Sequence, residues 1–170
     1  GLQMGASFIK PFASLRPKDD KWQREREAMT AMALDVSKAL TALTEAGKVR
    51  VIQNNRGIRI DIESSILFAS GSADLEPTSL EPLLEVATLL LDKPHAIQVE
   101  GHTDNTTIHN YLFYSNWELS AVRASSVVRL LAQNGISEER LSAVGFGAAQ
   151  PVADNQHAED RAKNHRVSIM

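Results

Sequence analysis

Apolar positions recur along the chain with two different periods. Between residues 20 and 46, Met29, Met32, Val36, Leu40 and Leu43 return at steps of three and four, which places them on one stripe of a helix. Gly47 follows, in the position where helices commonly end. The stripe has two uses open to it. It can pack on the core of its own chain, or, because its steps alternate like a heptad, it can face the same helix of a second copy in a homodimer. The period then drops to two. Val49 and Val51, and after them Ile58, Ile60 and Ile62, alternate on either side of NNRG, which predicts a β-hairpin with Asn and Gly in the turn.

SSILFASGSADLEPTS reads as a loop of small residues. TSLE, Thr78 to Glu81, has the form of a capping box and predicts a helix from there to Leu91, with Pro82 in its opening turn and DKP behind it. AIQVEG is the next strand, with Ile97 and Val99 on one face and its end near Gly101. A long helix is predicted from about Asn116 to Asn134, with SNWE in front and Gly135 behind. LSAVGFG is a further strand, AAQPVADNQHAEDRAKN a long loop with room for one helical turn, and HRVSIM a last strand. Strands that alternate with helices after one hairpin predict an α/β chain of the α+β two-layer sandwich type. It has a mixed β-sheet with helices packed on one face and an N-terminal helix ahead of it. The expected division is an arm over residues 1–19, a linker helix over 20–47 and the domain over 48–170.

The 170 residues suit one domain with some extra, and 43% hydrophobic residues suffice for a core. A net charge of −3 provides no basic face for nucleic acid. Without cysteine, disulfides and thiolate metal sites are excluded. No stretch approaches the ~20 apolar residues of a membrane span, and no signal peptide is visible. The opening GLQMGASF reads as a join onto mid-protein sequence, so a soluble piece of a larger protein is expected.

Candidate chemistry gathers around VEGHTDNTTI and the helix after it. In that helix Arg123 falls inside the apolar stripe of Leu119, Val127 and Leu130. A guanidinium there must reach water or meet an acceptor. Helical side chains lean toward the N-terminus, so Arg123 is carried back toward Asn116 in the first turn. Asp104 is expected in the loop at the carboxyl end of the preceding strand, the edge where alternating α/β arrangements bind ligands. A carboxylate facing a fork of donors suits a zwitterion, with Asp104 on an ammonium and Arg123 on a carboxylate. Spacing equally allows Asp104 and Arg123 to pair with each other as a structural salt bridge. His102 and His109 could be zinc ligands, but such sites need three or four, and no HExxH or CxxC accompanies them. His95, His157 and His165 are scattered. A hydrolase built on His102 and Asp104 needs a nucleophile; Ser115 and Ser120 are near, and capping and packing account for both. Trp117 is either a half-buried anchor or a ring able to stack on a sugar. No cofactor, metal or catalytic residue is expected.

LFASGSADL, VEGHTDNTTI, SNWELSAVRASSVVRLLAQNGI, RLSAVGFGAAQPVADN and RAKNHRVSI follow one another over about residues 49–170. Together they resemble the successive motifs of the OmpA-like peptidoglycan-binding domain family. GHTDN followed by SNWELS and VVRLL is most similar to its flagellar motor stator branch, MotB and MotD. The resemblance implies a two-layer fold, no catalysis, and non-covalent binding of the peptidoglycan stem peptide through meso-diaminopimelate. Its Asp and Arg anchors fall on Asp104 and Arg123, and Thr103, Asn116 and Leu119 match positions lining the family's pocket. The family tail often reads NRRV where this chain reads NHRV, so His165 stands for the first arginine and Arg166 matches the second. For a stator subunit the resemblance further implies a periplasmic domain of a single-pass inner-membrane protein. That protein would be a dimer, partnered by a MotA-like subunit and tied to the wall so that torque reaches the rotor. An outer-membrane-linked anchor of the OmpA or Pal type and a wall-active hydrolase are the alternatives.

Overall fold

A computed structural model describes residues 20–170; the arm expected over 1–19 lies outside the described residues. The chain opens with α1 (Asp20–Ala39), extended past a turn by the short α2 (Thr41–Glu45). The hairpin β1 (Val49–Asn54) and β2 (Gly57–Glu63) follows, then α3 (Ser64–Leu67) and α4 (Pro77–Leu90). Next come β3 (Ile97–His102), α5 (Asn116–Gln133), a 3₁₀ turn (Glu138–Arg140), β4 (Leu141–Gly145), α6 (Ala158–Asn164) and β5 (Arg166–Ile169).

The five strands form one sheet in the order β1-β2-β5-β3-β4. Only β3 and β4 run parallel, which requires a long crossover, and α5 provides it. The mixed sheet with helices matches the predicted class. Strand alternation fills the core: Ile60, Ile62, Ile97, Val99, Val167 and Ile169 are buried with Val36 and Leu40, Leu83, Val86 and Leu90 of α4, and Val127 and Leu131 of α5. The opposite face is polar yet closed near its centre. Asp61 there accepts from Ser168 Oγ at 2.6 Å and pairs with Arg59 at 3.1 Å.

Of the two uses open to the first stripe, the structure shows the intrachain one: Met32, Val36 and Leu40 belong to the same buried cluster as the sheet. The hairpin turn is where NNRG placed it, with Asn54 opposite Gly57 and the Asn54 side chain accepting from Arg56 N at 2.8 Å. Three expectations need correction. The N-cap of α4 is Glu76, not Thr78, because Pro77, whose missing N–H suits the first helical position, sets the start. Pro82 therefore lies inside α4 rather than in its opening turn. The loop at 64–79 contains α3 and an isolated bridge between Phe68 and Leu75. The loop after β4 holds the short helix α6 where room for one helical turn was expected, and β3 ends at His102, next to the expected Gly101.

Candidate functional site

Two glycines set the position of α5. Gly101 on β3 and Gly145 on β4 are partners in the parallel register. A Cβ on Gly101 would lie 2.0 Å from the Ser120 carbonyl oxygen, and one on Gly145 would lie 2.5 Å from the Ala121 nitrogen. Their bare backbone lets the first turns of α5 rest directly on the strand ends. Ser120 Oγ fastens the contact, accepting from Gly147 N at 2.9 Å, while Gly147 O accepts from Thr103 N at 2.9 Å. The start of α5 is capped as SNWE predicts. Ser115 Oγ accepts from Trp117 N at 3.1 Å and donates to the Glu118 carboxylate, a bond that holds the Glu118 carboxyl below its usual range.

Asp104 sits just past β3, half-buried. Its Oδ1 accepts from Thr106 N at 2.8 Å, and Thr106 O accepts from Asn116 Nδ2 at 3.0 Å, so the Asp104 loop is tied to the first turn of α5. Thr103, 3% exposed, donates its hydroxyl to the Asp104 carbonyl. Arg123 is 2% exposed and does not form an ion pair with Asp104. Its Nε donates to Ser72 O at 2.8 Å, its Nη2 to Ala69 O at 3.2 Å and its Nη1 to His165 Nε2 at 2.7 Å. Its guanidinium carbon stands 4.8 Å from the centre of the Phe68 ring. Three of the five N–H donors are thereby engaged, leaving two. Burial lowers the Arg123 pKa to about 10, which keeps it charged at neutral pH.

His165 must be neutral to accept from Arg123. Burial, and then the adjoining Arg123 charge, lower its pKa to about 4, against an opposing pull from Asp104. The proton then sits on Nδ1, which is buried and has no partner among the described residues. Buried donors of this kind are uncommon and are satisfied by a ligand or water oxygen.

The other sequence candidates divide. Leu119 is buried with Ala73, Phe113 and Ile108 in a small cluster beneath the loop before α5. Arg166 is not brought to Asp104. Alternation turns its side chain to the polar sheet face, opposite His102 and away from His165, where Nη1 donates to Asn164 O and Nη2 to Gln150 O, both at 3.2 Å. His102 lies on that same face, its ring 5.1 Å from that of Phe146 and its Nε2 3.0 Å from Glu100 Oε1. Among the described residues no three His, Cys, Asp or Glu side chains gather as metal ligands. Among the described residues neither Ser115 nor Ser120 has a histidine partner. Sequence reasoning missed the acceptor role of His165 and the carbonyls of Ala69 and Ser72.

A sequence model of the OmpA family matches residues 67–165. Motility protein B of Bacillus subtilis (strain 168) is 40% identical over 118 residues, covering 68% of this chain and 45% of that protein. Among solved structures, a MotB-like protein from Desulfovibrio vulgaris superposes with a TM-score of 0.78 at 31% identity, covering 86% of this chain and 93% of its own. The cell wall anchor of the type VI secretion system from Pseudomonas aeruginosa gives 0.72 at 35% identity, covering 79% and 94%. The chain spans about half the length of the curated relatives it matches.

Proposed function

The chain belongs to the OmpA family, and from that premise we propose that it binds peptidoglycan without covalent chemistry. It takes the zwitterionic end of a stem-peptide meso-diaminopimelate and serves as the wall anchor of a flagellar motor stator. The observation that carries this reading is the unpaired arrangement of opposite charges. Among the described residues Asp104 Oδ2 has no donor and Arg123 keeps two N–H groups without an acceptor, where a strand ends and a helix begins. An ammonium on Asp104 and a carboxylate on Arg123 complete both. Thr103 and Asn116 hold the Asp104 loop, and Leu119 supports it from below. Arg166 enters only as a brace for the loop at Gln150.

Charge-assisted hydrogen bonds without a covalent link give attachment that can be released, as an exchanging stator requires. Peptidoglycan lies outside the inner membrane, so the domain works in the periplasm. Among the described residues no helix is long and apolar enough to cross a membrane. A stator subunit would dimerise through its periplasmic part and meet a MotA-like partner through a membrane part absent from this chain. The likeness to the secretion-system anchor supports a second reading, in which the same wall contact holds a different envelope machine.

Co-sedimentation with purified sacculi tests the site. Asp104→Asn is expected to melt as the parent does and to lose binding at least about tenfold, the scale of leaving one member of a desolvated charge pair alone. A folded Asp104→Asn that sediments like the parent would remove the reading.

A further inference from the structure

Residues 105–117, NTTIHNYLFYSNW, contain no Asp, Glu, Lys or Arg, in a chain that is 23% charged. Within them Tyr111 is 96% exposed, Tyr114 79%, Leu112 61% and Trp117 56%. The segment is nonetheless built. Asn110 Oδ1 accepts from Leu112 N and Phe113 N, both at 2.8 Å, and Asn110 N donates to Phe113 O at 2.9 Å. Phe113, 8% exposed, is driven into the cluster with Ala73 and Leu119. His109 Nδ1 meets Tyr114 O at 3.0 Å. Trp117 lies over Gly147, where an added Cβ would come within 3.4 Å of the ring. One aromatic is therefore buried as an anchor while three are held out to solvent. Tyr111 and Trp117 have no ring partner among the described residues.

We propose that Tyr111, Tyr114 and Trp117 form a shelf for an N-acetylhexosamine of the glycan strand. The proposal rests on the reading of Asp104 and Arg123 as the stem-peptide site. A sugar offers an apolar C–H face ringed by hydroxyl and amide groups. Tyr and Trp offer a flat apolar body with a polar tip, and the amides and hydroxyls of Asn105, Thr106, Thr107 and Asn110 lie in the same segment. The absence of charge fits a neutral ligand and leaves no cation for a phosphate or an anionic lipid surface. Four partly exposed side chains fall short of the ~800 Å² that each partner gives to a standard protein interface. Continuity places the glycan here. Trp117 follows Asn116, which is bonded to the Asp104 loop, and the short stem peptide keeps a sugar within on the order of 10 Å of its diaminopimelate at ~3.5 Å per residue.

The test titrates the chain, by the indole N–H resonance of Trp117, with three probes. They are an uncharged N-acetylglucosamine tetramer, a stem peptide without sugar, and a muropeptide containing both. The tetramer is expected to shift Trp117. Tyr111→Ala/Tyr114→Ala is expected to weaken muropeptide binding roughly three- to tenfold per ring, the scale of one ring contact, and to leave the sugar-free peptide unaffected. Asp104→Asn is expected to weaken both the sugar-free peptide and the muropeptide and to leave the shift of Trp117 with the tetramer unaffected. Failure of the peptide with success of the tetramer would overturn the stem-peptide site and keep the shelf. No shift with the tetramer, together with unchanged muropeptide binding by the double variant, would overturn the shelf. So would parental self-association that the double variant abolishes, since it would assign the rings to a second copy.

Discussion

Arg123 is a buried cation whose protein partners are two carbonyls and a neutral imidazole, so its charge is solvated by dipoles and remains available to a ligand. This arrangement ties it to the protonation of His165. The folded-state pKa of His165, about 4, lies below the ordinary ~6.5, so between those values the unfolded chain binds the extra proton. Stability then rises with pH across that window and is lost as pH falls from ~6.5 toward 4, by at most about 3 kcal/mol. His102, also lowered by burial and by Arg166, adds a loss of the same sign. Urea unfolding at pH 7 and pH 4.5 should show the parent losing stability, and His165→Gln, whose amide oxygen can still accept from Arg123, losing less. Equal losses would detach His165 from the effect. Arg123→Ala removes three part-buried hydrogen bonds, so it should lower stability as well as binding, and Arg123→Lys is the informative variant. The places of Asp104 and Arg123 in the fold were legible, because a carboxylate after a strand and an arginine inside an apolar stripe are both residue-type signals. The carbonyls of Ala69 and Ser72 were not, since a backbone acceptor leaves no mark in the sequence. Nor was the neutral state of His165, which burial and contact with Arg123 impose.

The elements meet where side chains are missing. Gly101 and Gly145 stand side by side under Ser120 and Ala121, and the approach is backbone to backbone, so no rotamer change can relieve an added methyl. Gly101→Ala and Gly145→Ala should each destabilise by about 2–4 kcal/mol, the upper range for overpacking, measured by urea unfolding. Because α5 would shift with Asn116, Gly101→Ala should also weaken sacculus binding, even though Gly101 touches no ligand. Ser115→Ala, which removes the cap of the same helix, should cost about 1 kcal/mol. A loss near zero for either glycine variant would mean that α5 can ride higher on the sheet. Helix starts were readable where the cap is a side chain, as at SNWE. TSLE misled because Pro77 fixed the start of α4 and moved the cap two residues earlier, to Glu76. The polar, seven-residue α6 carries too little apolar periodicity to be read as more than room for one helical turn, and the alternation of β5 that parts His165 from Arg166 needed the strand's exact start.

At the scale of the whole molecule, the question is whether α1 behaves as part of the sheet domain or as a detachable lever. The stripe of Met32, Val36 and Leu40 was legible as apolar, but its choice between core and partner helix was not, because both demand the same spacing. In the structure these side chains share one cluster with Val49, Ile60, Ile62 and Leu83, and Val36 is 0% exposed. An element that fills the common core should unfold with it. Leu40→Ala, at the end of that stripe, should therefore lower global stability by about 2–5 kcal/mol, the range for emptying a buried leucine site, within a single transition. Native-state hydrogen exchange should show the amides around Val36 opening with nearly the same free energy as those of β2 and β3. Faster exchange confined to α1, with the sheet unchanged, would instead make the helix a separate unit that undocks first. That difference bears on the proposed task. A docked α1 passes load straight into the sheet whose strand β3 leads into Asp104, whereas a detachable one yields before the proposed wall contact feels the force.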